Sequence, residues 1–347
     1  MKKIFNHFLS LLFVVISLAG CTGTGGGSAG ENQTAATPAA RVEPKVGKET
    51  LLLMKELADA GDYVNSTRFP SIIMATLVNE GLPGKNLLID LRTPEKYRAG
   101  HIKGALNKKF EELPEYFEKG IKPFEYEKIV LVCEDGQMSG YTASLLRLAG
   151  YGNVFSMRWG MSGWNMKYAD EGWLSGVSGE FEERLDTVTA HKPPVGAMPP
   201  LNTGLITGAE ILDGRLKLLF AAGTSAVLIS AAEVFDNPDG YFIINIDRKD
   251  KYESGHLPGA VRYKPEGTLG FPGEMATIPF DKPVVVYCGT GHNSAFATAY
   301  LRLLGYDAKT LKYGNNSFMY NRMMSGQATL SWQPFTTADV NDFQVTR

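Results

Sequence analysis

Ile129-Val130-Leu131-Val132-Cys133-Glu134-Asp135-Gly136-Gln137-Met138-Ser139 runs from four apolar residues through a cysteine into a glycine-containing loop. A short unbroken apolar run is what a strand buried on both faces requires, and the stretch Ser139 to Leu148 after the loop reads as a helix. The pattern returns 155 residues later as Val284-Val285-Val286-Tyr287-Cys288-Gly289-Thr290-Gly291-His292-Asn293-Ser294, leading into a second helical stretch, Ser294 to Leu304.

At that offset Tyr97 matches Tyr252, Gly100-His101 matches Gly255-His256, Gly104-Ala105 matches Gly259-Ala260, and Arg147 matches Arg302. Gly150-Tyr151 matches Gly305-Tyr306, and no gap is needed from residue 97 to 151, so the chain is a duplication. Asn86-Leu87-Leu88-Ile89-Asp90 and Tyr241-Phe242-Ile243-Ile244-Asn245 give each copy a further buried strand. Gly150 and Gly305 stand where helix C-caps belong. Ser230-Ala231-Ala232-Glu233 reads as a capping box that opens a helix. Strands alternating with helices predict an α/β fold, each copy a central, mainly parallel sheet flanked by helices. Pro193-Pro194-Val195-Gly196-Ala197-Met198-Pro199-Pro200 blocks both helix and central strand and reads as a linker. The expected division is therefore a first domain at 49–185, a Pro-rich linker at 186–203 and a second domain at 204–347, with two compact, separable units.

Each cysteine ends a buried strand and faces a loop that opens a helix. Backbone N–H groups of such a loop converge on the sulfur, and the helix N-terminus adds partial positive charge. Both favour the thiolate, which is the nucleophile. Cys133 and Cys288 are thus the candidate catalytic residues. The candidate substrate loops are Glu134, Asp135, Gly136, Gln137, Met138 and Ser139 in one copy, and Gly289, Thr290, Gly291, His292, Asn293 and Ser294 in the other. The loops differ in charge. At about 6 Å in a watery site, each of Glu134 and Asp135 costs a neighbouring thiolate roughly 0.7 kcal/mol. The second loop has no acid, and a partly cationic His292 would help it further, so Cys288 is the expected nucleophile.

Together with Asp90-Leu91-Arg92 and Gly100-His101-Ile102-Lys103-Gly104-Ala105 upstream, the cysteine loop resembles the rhodanese superfamily, and Gly255-His256-Leu257-Pro258-Gly259-Ala260 repeats the second signature. The resemblance implies two rhodanese-like domains and a sulfurtransferase mechanism: the cysteine takes a sulfane sulfur from a donor such as thiosulfate, becomes a persulfide, and passes the sulfur to a thiophilic acceptor. It also implies that Asp90 and Arg92 form a structural ion pair and that His101 and His256 are structural. Neither loop carries the Arg or Lys with which many active members hold an anionic donor. Asn245 and Asp247 replace Asp90 and Arg92 in the second copy, a loss read as structural rather than catalytic. A related phosphatase branch needs Cys-x5-Arg, and Ser139 and Ser294 stand at that position, which excludes phosphatase chemistry. Trp159, Trp164 and Trp173 are expected to pack. No metal or cofactor is expected, and the sequence leaves open a donor that carries another chalcogen, such as selenium, in place of sulfur.

The N-terminus carries an address. Lys2 and Lys3 precede an apolar core, Phe8 to Leu18, of 11 residues. That is too short for a bilayer, which needs about 20 apolar residues, and suits a signal peptide. Leu18-Ala19-Gly20-Cys21 resembles a bacterial lipobox, so 1–20 is read as a lipoprotein signal peptide and Cys21 as the lipidation site; the alternative is a secretory signal with a chance cysteine. Residues 21–48, rich in Gly, Thr, Ala and Pro, read as a flexible tether. Thr22 matches outer-membrane sorting if the host is Gram-negative. With Lys2 and Lys3 removed, 33 basic residues face 37 acidic ones, so no basic excess points to nucleic acid. Two readings result: an envelope-anchored sulfurtransferase with a small sulfur donor and a thiol acceptor as partners, or a non-catalytic accessory lipoprotein of an envelope membrane complex.

Overall fold

The computed structural model describes residues 43–81, 84–264, 267–270, 274–325 and 332–347. The signal peptide, Cys21 and the tether up to residue 42 lie outside them. Each copy forms a five-stranded parallel sheet. In the first, β1 (Ile72–Ile73), β2 (Asn86–Asp90), β3 (Leu106–Asn107), β4 (Lys128–Val132) and β5 (Val154–Met157) lie in the order β1-β5-β4-β2-β3. In the second, β6 (Leu228–Ile229), β7 (Phe242–Asn245), β8 (Val261–Arg262), β9 (Val284–Tyr287) and β10 (Ala308–Leu311) repeat it as β6-β10-β9-β7-β8. The cysteine-bearing strands β4 and β9 are central, as their unbroken apolar runs require: every residue of Val284–Tyr287 is buried, and in β4 only Lys128 is not. Pairing of Asp90 with Val132 and of Asn245 with Tyr287 ends neighbouring strands level, so Cys133 and Cys288 sit at the carboxyl edge of their sheets. That is where open parallel sheets place their ligands.

Helices Gln137–Leu148 and His292–Leu303 follow the loops. Both have a left-handed glycine as N-cap, Gly136 at φ 89° and Gly291 at φ 75°, a conformation that spares a Cβ penalty only for glycine. The capping box at Ser230 and Glu233 is present. Among the described residues no helix is long and apolar enough to cross a membrane.

The structure departs from the expectation of two separable units. Helices Gln137–Leu148 and His292–Leu303 pack on each other: Gly140 lies against Phe296, and the Ser144 hydroxyl donates to the Phe296 carbonyl at 2.9 Å. One hydrophobic core runs through both copies, from Leu53, Leu131 and Leu145 to Phe296, Tyr300 and Val286. The Pro-rich segment is fastened rather than free. Lys45 bridges to Ala197, Gly196 donates to the Ala276 carbonyl, and Met198 and Leu201 are buried. The tails are exchanged as well. Asp186, which follows the first copy, pairs with His256 of the second, and Thr346, which follows the second, pairs with His101 of the first. The segment 335–347, assigned by sequence to the second domain, therefore makes many of its contacts with the first: Phe343 donates to the Trp164 carbonyl and Trp164 Nε1 to the Gln344 carbonyl.

His101 and His256 stack on Tyr97 and Tyr252, with ring centroids 3.8 Å apart, and each places Nδ1 against the tyrosine's carbonyl. Both close a turn.

Candidate active site

In the first copy the sulfur of Cys133 receives the N–H groups of Gly136 at 3.1 Å and Ser139 at 3.3 Å. The thiol in turn faces the Ser139 hydroxyl at 3.4 Å and Asp135 Oδ1 at 3.6 Å. Ser139 leans on Ser156, 2.8 Å away. The second copy repeats the motif more loosely. Cys288 Sγ reaches the Ser294 hydroxyl at 3.8 Å, and Ser294 leans on Thr310 at 2.7 Å. The loops are tied from below by equivalent bonds, Met161 N–H to the Cys133 carbonyl at 2.9 Å and Asn315 N–H to the Cys288 carbonyl at 3.0 Å. Gly160 and Gly314, both at φ +55°, leave no room for a Cβ above those carbonyls. Met138 and Asn293 sit half-buried on the first helical turns.

Both sulfurs are deeply buried, Cys133 at 2% exposure and Cys288 at 3%, and both are free thiols. Burial raises both thiol pKa values above the ordinary one, and neighbouring acids add to it: Asp135 and Glu134 at Cys133, Asp247 at Cys288. At Cys288 the N–H groups of Ser294 and Thr290 pull the other way. Burial also raises the pKa of Asp135 itself.

Four sequence expectations change here. His292 is not cationic. Burial pushes its pKa down to about 4, and its Nε2–H donates to the Asp135 carbonyl at 2.9 Å. The second loop is not free of acids, because Asp247 accepts from the Gly289 N–H at 3.0 Å and from Asn315 Nδ2 at 3.1 Å. The exchange of Arg92 for Asp247 thus bears on the site. Glu134, half exposed, turns outward to Lys96 Nζ at 2.7 Å, which leaves Asp135 as the inner acid.

Lys96 also exposes a residue that sequence reading missed. Its repeat partner is Lys251, on the helix Lys249–Ser254. Lys251 is 9% exposed, and among the described residues it donates no hydrogen bond. A Cβ built on Gly289 would lie 3.9 Å from its Nζ and 3.7 Å from Asp247 Oδ1. Gly289 stands where the first copy has Glu134. The cation beside the first loop is therefore paired by that loop's own Glu134, while the cation beside the second faces no loop acid but the buried Asp247, whose pKa its charge pulls down against burial. Applying the 155-residue offset to Lys96 would have found it; the loop sequences alone do not contain it.

The tryptophans do more than fill space. Trp159, Trp173, His292, Tyr313 and Phe335 form one aromatic cluster between the loops, and Trp173 Nε1–H donates to the Asp135 carbonyl at 2.9 Å. Trp164 packs elsewhere, on Phe343.

Comparison with known proteins supplies a family. The model of the rhodanese-like domain matches twice, at residues 74–167 and 230–320. A tRNA uridine(34) hydroxylase of Acinetobacter baumannii is 28% identical over 147 residues, 41% of this chain; the chain thus spans 43% of that relative's length. Among solved structures, a thiosulfate sulfurtransferase from Pseudomonas aeruginosa aligns over 80% of this chain and 69% of its own at 15% identity and a TM-score of 0.26. A rhodanese-related protein from Thermoplasma volcanium aligns over 30% of this chain and 95% of its own, at 20% identity and a TM-score of 0.25.

Proposed function

The chain belongs to the rhodanese-like domain family, which it enters twice, and from that premise we propose that it is an envelope-anchored sulfurtransferase working through Cys288. The observation that carries the choice of copy is Lys251 beside a glycine loop that carries no acid of its own, with Asp247 behind it, against the direct Lys96–Glu134 ion pair in the loop of Cys133. In the proposed step the Cys288 thiolate attacks the outer sulfur of thiosulfate. A sulfur–sulfur bond to cysteine forms, the donor's own bond breaks, and sulfite leaves with the electron pair. The persulfide then gives its terminal sulfur to a thiol or another thiophilic acceptor. Lys251 would hold the sulfonate of the donor, which no loop residue can do.

Gly289→Glu tests this directly. The space around Gly289 admits a Cβ at ordinary contact distance, so the new carboxylate can reach Lys251 much as Glu134 reaches Lys96. Sulfur transfer from thiosulfate should fall about tenfold, mainly through KM, as the loss of one charge-assisted contact implies. Lys251→Met should do the same. Unchanged KM in both variants would mean that the donor is not held there.

Anchoring is proposed from Leu18-Ala19-Gly20-Cys21. Cys21→Ala should convert a membrane-bound protein into a soluble or unprocessed one, and unchanged fractionation would remove the lipid anchor from the account. A second reading, a non-catalytic accessory lipoprotein of an envelope complex, draws its support from the 2–3% exposure and raised pKa of both thiols.

A further inference from the structure

The two cysteine loops face each other, and each is held by a side chain from the opposite copy. Gln137 and His292 are repeat partners, each the first residue of its helix. Gln137 reaches into the second copy: its Nε2 donates to the Leu311 carbonyl at 3.0 Å and the Gly291 carbonyl at 3.4 Å, and its Oε1 accepts from the Tyr313 N–H at 2.7 Å. His292 reaches back, Nε2–H to the Asp135 carbonyl at 2.9 Å. Each side chain lies flat on the other copy's N-cap glycine. A Cβ on Gly136 would meet His292 Nε2 at 2.5 Å, and one on Gly291 would overlap the Gln137 amide. All four residues are buried, so these bonds form away from water, where a missing partner is costly.

We propose that Gln137 and His292 are reciprocal positioning residues: Gln137 sets the loop of Cys288, and His292 sets the loop of Cys133. Gln137 bonds Gly291, the residue that turns the second loop into its helix, and so fixes where the Thr290 and Ser294 N–H groups point. His292 bonds Asp135, the residue between Cys133 and its own N-cap glycine. Neither side chain touches a sulfur. This rests on reading the cysteines as nucleophiles, but not on sulfur transfer, and the test is therefore made with a neutral alkylating reagent.

Full-length protein would be treated with iodoacetamide across the alkaline range, and the rate at each cysteine read by peptide mass spectrometry. In Gln137→Leu the ratio of the Cys288 rate to the Cys133 rate should fall about threefold, the loss of thiolate that half a pK unit represents. In His292→Phe, which keeps an aromatic ring against Trp159 and Trp173, the ratio should rise by a similar factor. His292→Gln, which restores a donor, should return it toward the original value. Opposite signs are the signature, because general loosening of the fold moves both rates the same way. Ratios that shift in the same direction, that do not shift, or that fail to respond to His292→Gln would overturn the proposal. So would a Cys288 closed to the reagent in every variant. A failure of sulfur transfer with the crossed ratios intact would instead count against the proposed function alone.

Discussion

Arg92→Met is expected to destabilise the protein by about 3–5 kcal/mol, the usual cost of removing one partner from a buried ion pair. Arg92 and Asp90 are 3% and 1% exposed, and the guanidinium grips the carboxylate through Nε at 3.0 Å and Nη2 at 2.6 Å. Burial opposes the charge on Arg92, and Asp90 more than offsets it, so the guanidinium pKa stands above its ordinary value. Nη2 also donates to the Gly100 carbonyl at 2.8 Å, which ties β2 to the turn of His101. Methionine fills the volume but leaves Asp90 a buried, uncompensated charge. The loss would be read from the denaturant midpoint of the full chain. The second copy has no arginine at the same place: Asn245 Oδ1 accepts the Asp247 N–H at 2.9 Å, and Asp247 is held by Gly289, Asn315 and the charge of Lys251. Asp90→Asn should therefore recover part of the loss when combined with Arg92→Met. A single-variant cost below about 1 kcal/mol would place the pair among interactions of surface strength.

Cys288→Ser is expected to lower sulfur transfer by about 100-fold or more, since the persulfide has no other sulfur to form on in that loop. Cys133→Ser should change it less than about twofold. The asymmetry follows from the surroundings. Cys133 has Asp135 Oδ1 3.6 Å from its sulfur, and the cation beside its loop is already paired with Glu134. Because burial and Asp247 also raise the Cys288 pKa, transfer through it should keep climbing with pH beyond about 8.5, where an unperturbed thiol is half ionised. A profile that levels off near neutrality would require a base at Cys288 that its present neighbours do not supply.

Local pattern carried a good part of the fold. The apolar runs at 86–90, 129–132 and 284–287 are central strands, the stretches after the cysteines are helices, and Ser230 caps the helix it precedes. These depend on spacing within a few residues, and the repeat doubled each signal. What spacing could not supply is the docking of one copy on the other. The neutrality of His292 comes from burial against Asp135, 157 residues away, and nothing near His292 in the chain encodes it. Asp247 beside Gly289 and Lys251 above it are likewise contacts across about 40 residues of chain. The exchanged tails, Asp186 on His256 and Thr346 on His101, leave no signature in composition, so the linker read as loose while it is held on both sides.

The central claim is that a sulfane sulfur lands on Cys288. The protein would be incubated with thiosulfate, its persulfides trapped by alkylation, and the peptides carrying residues 133 and 288 compared by mass. The account predicts the added mass of one sulfur atom on Cys288, with little on Cys133. An adduct on Cys133 alone, or none on either cysteine while a known sulfurtransferase loads in parallel, would contradict it, and the latter result would leave the accessory reading standing.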